Sequence, residues 1–204
     1  MTGTKPLFHV VMHEPEIPNN TGNIGRTCIA TNCALHLIHP LGFETSEKAL
    51  LRAGLDYWPR VDVRHHKNWE DYLLGWDSGW HSSPSCSEEG EDTGQRPVPP
   101  GNQDTAQSAV LPRLWLTSGK VGVTPWDVEI RPGDHLVFGK ETRGLPPALL
   151  DDYPDRVLRY PMAPGERGLN VATAVCALVY EGIRQCAARG EITIDKEGRL
   201  ELGR

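Results

Sequence analysis

Short apolar runs that alternate with helix-patterned stretches constrain this chain more than any other feature. Strand-like runs lie at Phe8–His13, Leu35–His39, Val61–His65, Leu114–Thr117, His135–Gly139 and Val157–Tyr160. Helical patterns fall between them: about Gly22 to Asn32, after Ser46, after Asn68 as a cap, and a short one after Pro146. That order predicts an α/β domain with a mostly parallel sheet flanked by helices. The last helix is the longest. From Leu169 the residues Leu169, Ala172, Cys176, Val179 and Ile183 recur at heptad spacing, with Val171, Val175 and Leu178 widening the stripe. Such a face is buried against the sheet or a partner, and Gly190 is its stop signal. The 204 residues suit a single domain over 1–190, followed by a 191–204 tail whose alternating apolar residues around Asp195–Gly198 predict a small hairpin.

One stretch breaks the pattern. Residues 77–110 are rich in Ser, Gly, Pro and acids and cannot bury enough apolar area to offset chain entropy, which predicts a flexible acidic insertion. It holds Asp77, Glu88, Glu89, Glu91, Asp92 and Asp104 against Arg96, a balance of −5, so the rest of the chain carries only −1 of the net charge of −6. A near-neutral folded part argues for a small, shaped contact with nucleic acid rather than a broad basic surface. No apolar run reaches eighteen residues and the N-terminus lacks the pattern of a signal peptide, so a soluble, cytoplasmic protein with no membrane partner is expected. Cys28, Cys33, Cys86, Cys176 and Cys186 are odd in number and include no C-x-x-C pair, which suggests reduced packing thiols. The eight histidines are read as structural or exposed. His36 and His39 face opposite sides of a strand; His9 and His13 share a face but show no third ligand, so no metal is expected.

Three segments are richer in Gly, Asn, Arg and Glu than a core needs, and each follows or interrupts a predicted strand, where ligands gather in open α/β sheets. In PEIPNNTGNIGRT, Asn20 and Asn23 can bond backbone or substrate, Gly22 and Gly25 allow close approach at a helix N-terminus, and Arg26 projects from the first turn. An N-cap with a surface arginine is the simpler alternative. In LVFGKETRGLPPALL, Gly139 ends a buried strand, and Glu141 and Arg143 are charges in a tight loop. A phosphate-binding P-loop is excluded because Glu141 follows Gly139-Lys140, and a dinucleotide fingerprint is excluded because Gly22 and Gly25 lack the G-x-G start. In YPMAPGERGLNVATAVCALVYEGIRQ, Asn170 sits where an amide can cap the helix or face a ligand.

Together PEIPNNTGNIGR, RAGLDYW, FGKETRGLP and YPM followed by RGLNVATAVCALVYEGIRQ resemble the motifs of the SPOUT methyltransferases. They are most similar to the small group that 2′-O-methylates cytidine or uridine 34 of tRNA. The resemblance covers about residues 7–189 apart from the insertion. It implies a SPOUT α/β-knot with a C-terminal trefoil knot, S-adenosylmethionine as donor with S-adenosylhomocysteine as product, a tRNA substrate, and a homodimer whose second subunit completes the site. By position, Leu116, Thr117, Gly139, Tyr160, Met162, Gly168 and Leu169 would line the S-adenosylmethionine pocket. Arg26 matches the arginine regarded as catalytic in the family, with Asn20, Glu141 and Asn170 around it. Two positions depart from the usual pattern: Gly168 replaces a serine, and Thr173 a frequent asparagine. Motifs of this kind specify donor and chemistry better than substrate. Another tRNA position or ribosomal RNA is therefore an alternative target, and a non-catalytic RNA-binding or assembly protein is the alternative from a different class.

Overall fold

The computed structural model describes residues 5–43, 56–77 and 113–202. The helix expected after Ser46 and the acidic insertion beyond Asp77 lie outside these described residues. Six strands, β1 (His9–His13), β2 (Ala34–Ile38), β3 (Val63–His66), β4 (Leu114–Thr117), β5 (His135–Phe138) and β6 (Val157–Leu158), form one sheet in the order β3-β2-β1-β5-β4-β6. Every neighbouring pair is parallel. The helices are α1 (Pro18–Thr31), α2 (Trp69–Asp77), α3 (Pro147–Asp152) and α4 (Val171–Ala188). A hairpin of β7 (Ile192–Ile194) and β8 (Leu200–Leu202) closes the chain. Among the described residues no helix is long and apolar enough to cross a membrane.

The central strands are apolar on both faces because both faces are covered. Side chains alternate, so Val10, Met12, Leu35, Leu37, Leu136 and Phe138 meet Ile24 and Cys28 of α1 and Val175, Leu178, Val179 and Ile183 of α4. The opposite set, Val11, Ile38, Leu114, Leu116 and Val137, meets Tyr72 and Leu73 of α2 and Leu149 of α3. The stripe predicted for the last helix is therefore a core face. Leu169, its expected first member, is instead outside the helix and 49% exposed.

Helix ends explain two differences from the expected boundaries. Asn68 does cap α2, its Oδ1 accepting from Asp71 N at 2.8 Å. But α1 starts at Pro18, four residues before Gly22, because proline suits the first helical position and Ile17 O closes the first turn, accepting from Asn20 N at 3.1 Å and Thr21 N at 3.2 Å. β6 stops at Leu158 rather than Tyr160, where the chain turns and the Tyr160 hydroxyl donates to Ala174 O at 2.7 Å.

Candidate active site

The three Gly/Asn/Glu-rich segments, which follow β1, β5 and β6, meet at the carboxyl ends of the strands. Glu14, immediately after β1, adopts φ 51°, a left-handed bend that turns residues 15–17 towards the loop after β5. There the Glu141 carboxylate accepts from Glu16 N at 2.8 Å, Ile17 N at 3.2 Å and Asn20 Nδ2 at 3.0 Å. The two backbone donors precede the helix, Ile17 being its N-cap, and a carboxylate at a helix N-terminus is favoured by the helix dipole. In return the Glu16 carboxylate accepts from Thr142 N at 3.2 Å and Thr142 Oγ1 at 2.7 Å. An ion pair between Lys140 and Glu14 flanks this exchange.

The chain of bonds continues into the third segment. Asn20 Oδ1 accepts from Asn170 Nδ2 at 2.9 Å, and Asn170 Oδ1 accepts from Ala172 N at 2.9 Å and Thr173 N at 3.3 Å. Asn170 thus caps α4 with its oxygen and ties α4 to α1 with its nitrogen. Glu141, Asn20 and Asn170 form one relay, and their polar atoms are directed at one another and at backbone donors.

Arg26 stands apart from that relay. It is exposed on α1, its guanidinium carbon 4.6 Å from the centre of the Tyr57 ring. Tyr57 is buried and donates its hydroxyl to Gly22 O at 2.8 Å. Gly25 also has a different role from the one its sequence context suggests: a Cβ there would lie 2.8 Å from Trp58 Cζ3, so the glycine admits a tryptophan rather than a ligand. Glu16, Thr142, Tyr57 and Trp58 are contributors that motif reading passed over. The last two lie within RAGLDYW, whose residues 52–55 fall outside the described part.

The residues expected to line a donor pocket divide by what they can offer. Leu116 is fully buried in the core, leaving only its backbone, and Thr117 Oγ1 donates to Val137 O at 2.9 Å. Gly139 is glycine because its own loop folds back on it: a Cβ would sit 2.1 Å from Gly144 C and Leu145 N. Burial pushes the Tyr160 phenol well above its ordinary range, and its hydroxyl is engaged by Ala174. Met162 is half-buried and Leu169 is exposed, while a Cβ on Gly168 would meet nothing within 4 Å. A Cβ on Gly119 would lie 3.3 Å from Arg167 O, so the turn after β4 and the 163–168 loop adjoin. Backbone groups beside apolar side chains and open space suit an uncharged heterocycle and an aliphatic tail better than a phosphate.

A second constellation lies on the α2 side of the sheet. His9, His36 and His135 come from three neighbouring strands, one ring nitrogen of each within 4.8 Å of the others, so the third partner that His9 lacks in the sequence is supplied by β5. His9 Nδ1 and His36 Nε2 are 2.9 Å apart, as are His36 Nδ1 and His66 Nε2, and the Tyr72 hydroxyl is 2.5 Å from His135 Nδ1. The His9 and His135 rings are stacked with centroids 4.1 Å apart and planes 5° from parallel. Lone pairs lie in the ring planes, so those of the two stacked rings run side by side. The geometry is that of a hydrogen-bonded imidazole network. Burial holds His36 and His135 well below the ordinary histidine range and His66 down to about 4.

Comparison with known proteins bears on the chemistry. The sequence profile of the SpoU rRNA methylase family matches residues 7–91 and 105–180. A tRNA (cytidine(34)-2′-O)-methyltransferase from Saccharophagus degradans is 40% identical over 185 residues, 90% of this chain and 99% of that protein. A solved structure described as giving insight into 2-OH methylation of C/U34 on tRNA is 35% identical, with TM-score 0.68 over 89% of this chain and 97% of the other. The SpoU methyltransferase AviRb from Streptomyces viridochromogenes, solved with its cofactor AdoMet, shares the fold. It is 19% identical, with TM-score 0.61 over 90% of this chain and 59% of that one.

Proposed function

The chain belongs to the SpoU rRNA methylase family, and on that premise we propose that it transfers a methyl group from S-adenosylmethionine to the 2′-hydroxyl of nucleotide 34, the wobble position, of tRNA. The observation that carries this reading is the Glu141–Asn20–Asn170 relay, which ties three distant motifs together at the strand ends. The donor supplies a methyl carbon activated by a sulfonium. Backbone at Leu116, Thr117 and Gly139 and the segment holding Tyr160, Met162, Gly168 and Leu169 would hold it, with the apolar side chains and open space described above as support.

Arg26 is the residue assigned to the reaction. A guanidinium is always protonated at ordinary pH and is a poor base, so its work is electrostatic: stabilising negative charge as it develops on the ribose oxygen and gripping an adjacent phosphate. Glu141, Asn20 and Asn170 fix the framework from which Arg26 projects. Holding the reacting atoms in line supplies a large share of the acceleration in such a transfer.

Two features of the assembly belong to the same proposal. Tyr180 on α4, Leu169 before it and Ile17 before α1 are apolar and 54%, 49% and 43% exposed, which supports a homodimer whose second copy covers them; a monomer in sedimentation at micromolar concentration contradicts this. A Cβ on Gly122 would meet Val157 O at 2.5 Å, and Val123 N donates to that same oxygen at 3.0 Å, so the 119–123 segment crosses closely over β6. That crossing supports the trefoil knot. A cytoplasmic location follows from the tRNA substrate.

Transfer from labelled S-adenosylmethionine to tRNA transcripts tests the reading. Label is expected on transcripts with a 2′-hydroxyl at position 34 and absent from those made 2′-deoxy there. Equal labelling of both overturns the site assignment. Arg26→Lys keeps the charge and loses the two-pronged fork, so full turnover by that variant refutes the bidentate role.

A further inference from the structure

Arg26 projects from the exposed face of α1 on a flexible stem, and a free arginine samples many rotamers. Electrostatic help at a reacting oxygen requires that it be held in advance. Among the described residues the group in contact with its guanidinium is the Tyr57 ring, 4.6 Å away. We infer that Tyr57 is a positioning residue for Arg26: its ring shelves the guanidinium and its hydroxyl clamps the helical turn from which the arginine springs. The inference rests on the role proposed for Arg26.

The clamp is built from both sides. In an α-helix the carbonyl of residue 22 accepts from the N–H of residue 26, and that same Gly22 O also accepts the Tyr57 hydroxyl at 2.8 Å. Ring and hydroxyl therefore hold the two ends of one turn. Tyr57 is itself only 5% exposed and opens a short 3-10 turn, in which Arg60 N donates to Tyr57 O and Val61 N donates to Trp58 O, both at 3.0 Å. Trp58 fills the groove left by Gly25, and Val63 then enters β3, so the tyrosine is anchored to the sheet. Two glycines in mid-helix are unfavourable for α1 in isolation. The presence of Gly25 is accounted for by the Trp58 ring that docks there. The ring face is negative and attracts a cation, which leaves the Arg26 fork presented outward along a restricted direction.

The test uses the full-length chain and a tRNA transcript. Tyr57→Phe keeps the ring, and replacing it by phenylalanines of increasing fluorination keeps the shape while draining the negative face. Tyr57→Phe is expected to retain kcat within about threefold, and successive fluorination to lower it stepwise to about tenfold below that of Tyr57→Phe. The Kd of S-adenosylmethionine stays within about twofold, because Arg26 acts on the ribose oxygen and its phosphate and not on the donor. A merely structural ring is indifferent to fluorination. Arg26→Ala is measured alongside. If it is inactive while kcat ignores fluorination, or rises with it, the inference about Tyr57 fails and the role of Arg26 stands. If Arg26→Ala keeps the wild-type rate, the role of Arg26 itself is wrong.

Discussion

Acidification is expected to unfold this protein well above the pH at which its carboxylates titrate. In the unfolded chain each imidazole gains a proton as pH falls through about 6.5. In the folded chain His36 and His135 stay neutral far below that because burial and neighbouring imidazoles oppose the charge, and burial holds His66 at about 4 despite Asp71 beside it. The unfolded state therefore binds more protons, so stability is full above pH 7 and declines as pH drops below 6.5. Each of the three buried rings costs about 2 kcal/mol at pH 5 relative to neutral pH, about 6 kcal/mol together. A domain of ordinary stability, 5 to 15 kcal/mol, loses much or all of its margin. The salt-bridged carboxylates Glu129, Glu181, Glu191 and Asp195, whose pKa values are lowered, act only below about 4.5 and leave this window clear. Urea titrations at half-unit steps from pH 7.5 to 5 measure the effect, with a limiting slope of about three protons or more taken up on unfolding, because burial also lowers His13 and His65. A slope of less than one proton between pH 6 and 5 refutes the neutral, buried network.

Two further substitutions separate packing from propensity. Gly25→Ala should raise the intrinsic helix preference of α1 by about 1 kcal/mol, yet lower the net stability by about 1 to 2 kcal/mol because the new methyl lies 2.8 Å from Trp58 Cζ3. Chemical denaturation decides the sign, and a gain in stability contradicts the docking described here. Gly168→Ser should leave stability within about 0.5 kcal/mol, since its Cβ meets nothing within 4 Å. Calorimetry of S-adenosylmethionine binding should show equal or tighter affinity, and a weaker Kd contradicts the placement of that open space in the donor pocket.

Much of the fold was legible because its strands are buried on both faces and so read as uninterrupted apolar runs; β4 falls at Leu114–Thr117 as expected from the sequence. The hairpin tail and the α4 stripe are similarly local signals. The start of α1 lies earlier than the sequence predicts because the backbone leading into it is held from a distance: Glu16 N and Ile17 N donate to Glu141, on a loop more than a hundred residues away. Gly25 reads in sequence as a point of ligand approach, whereas the Trp58 ring occupies the space its missing side chain leaves. The imidazole network escaped notice for the same reason, since His9 and His135 become neighbours only once β5 inserts beside β1.

By itself the sequence determined the layer architecture, the order of strands and helices, and three segments too polar and too glycine-rich for a core, because periodicity and backbone preference act over a few residues. Only the folded chain decided that Glu141, Asn20 and Asn170 join hands, that Arg26 rests on Tyr57, and that four histidines share one interior. Those pairings depend on which strands lie side by side. Strand order in a sheet is settled by burying all the apolar faces at once, and no local window of residues contains that information.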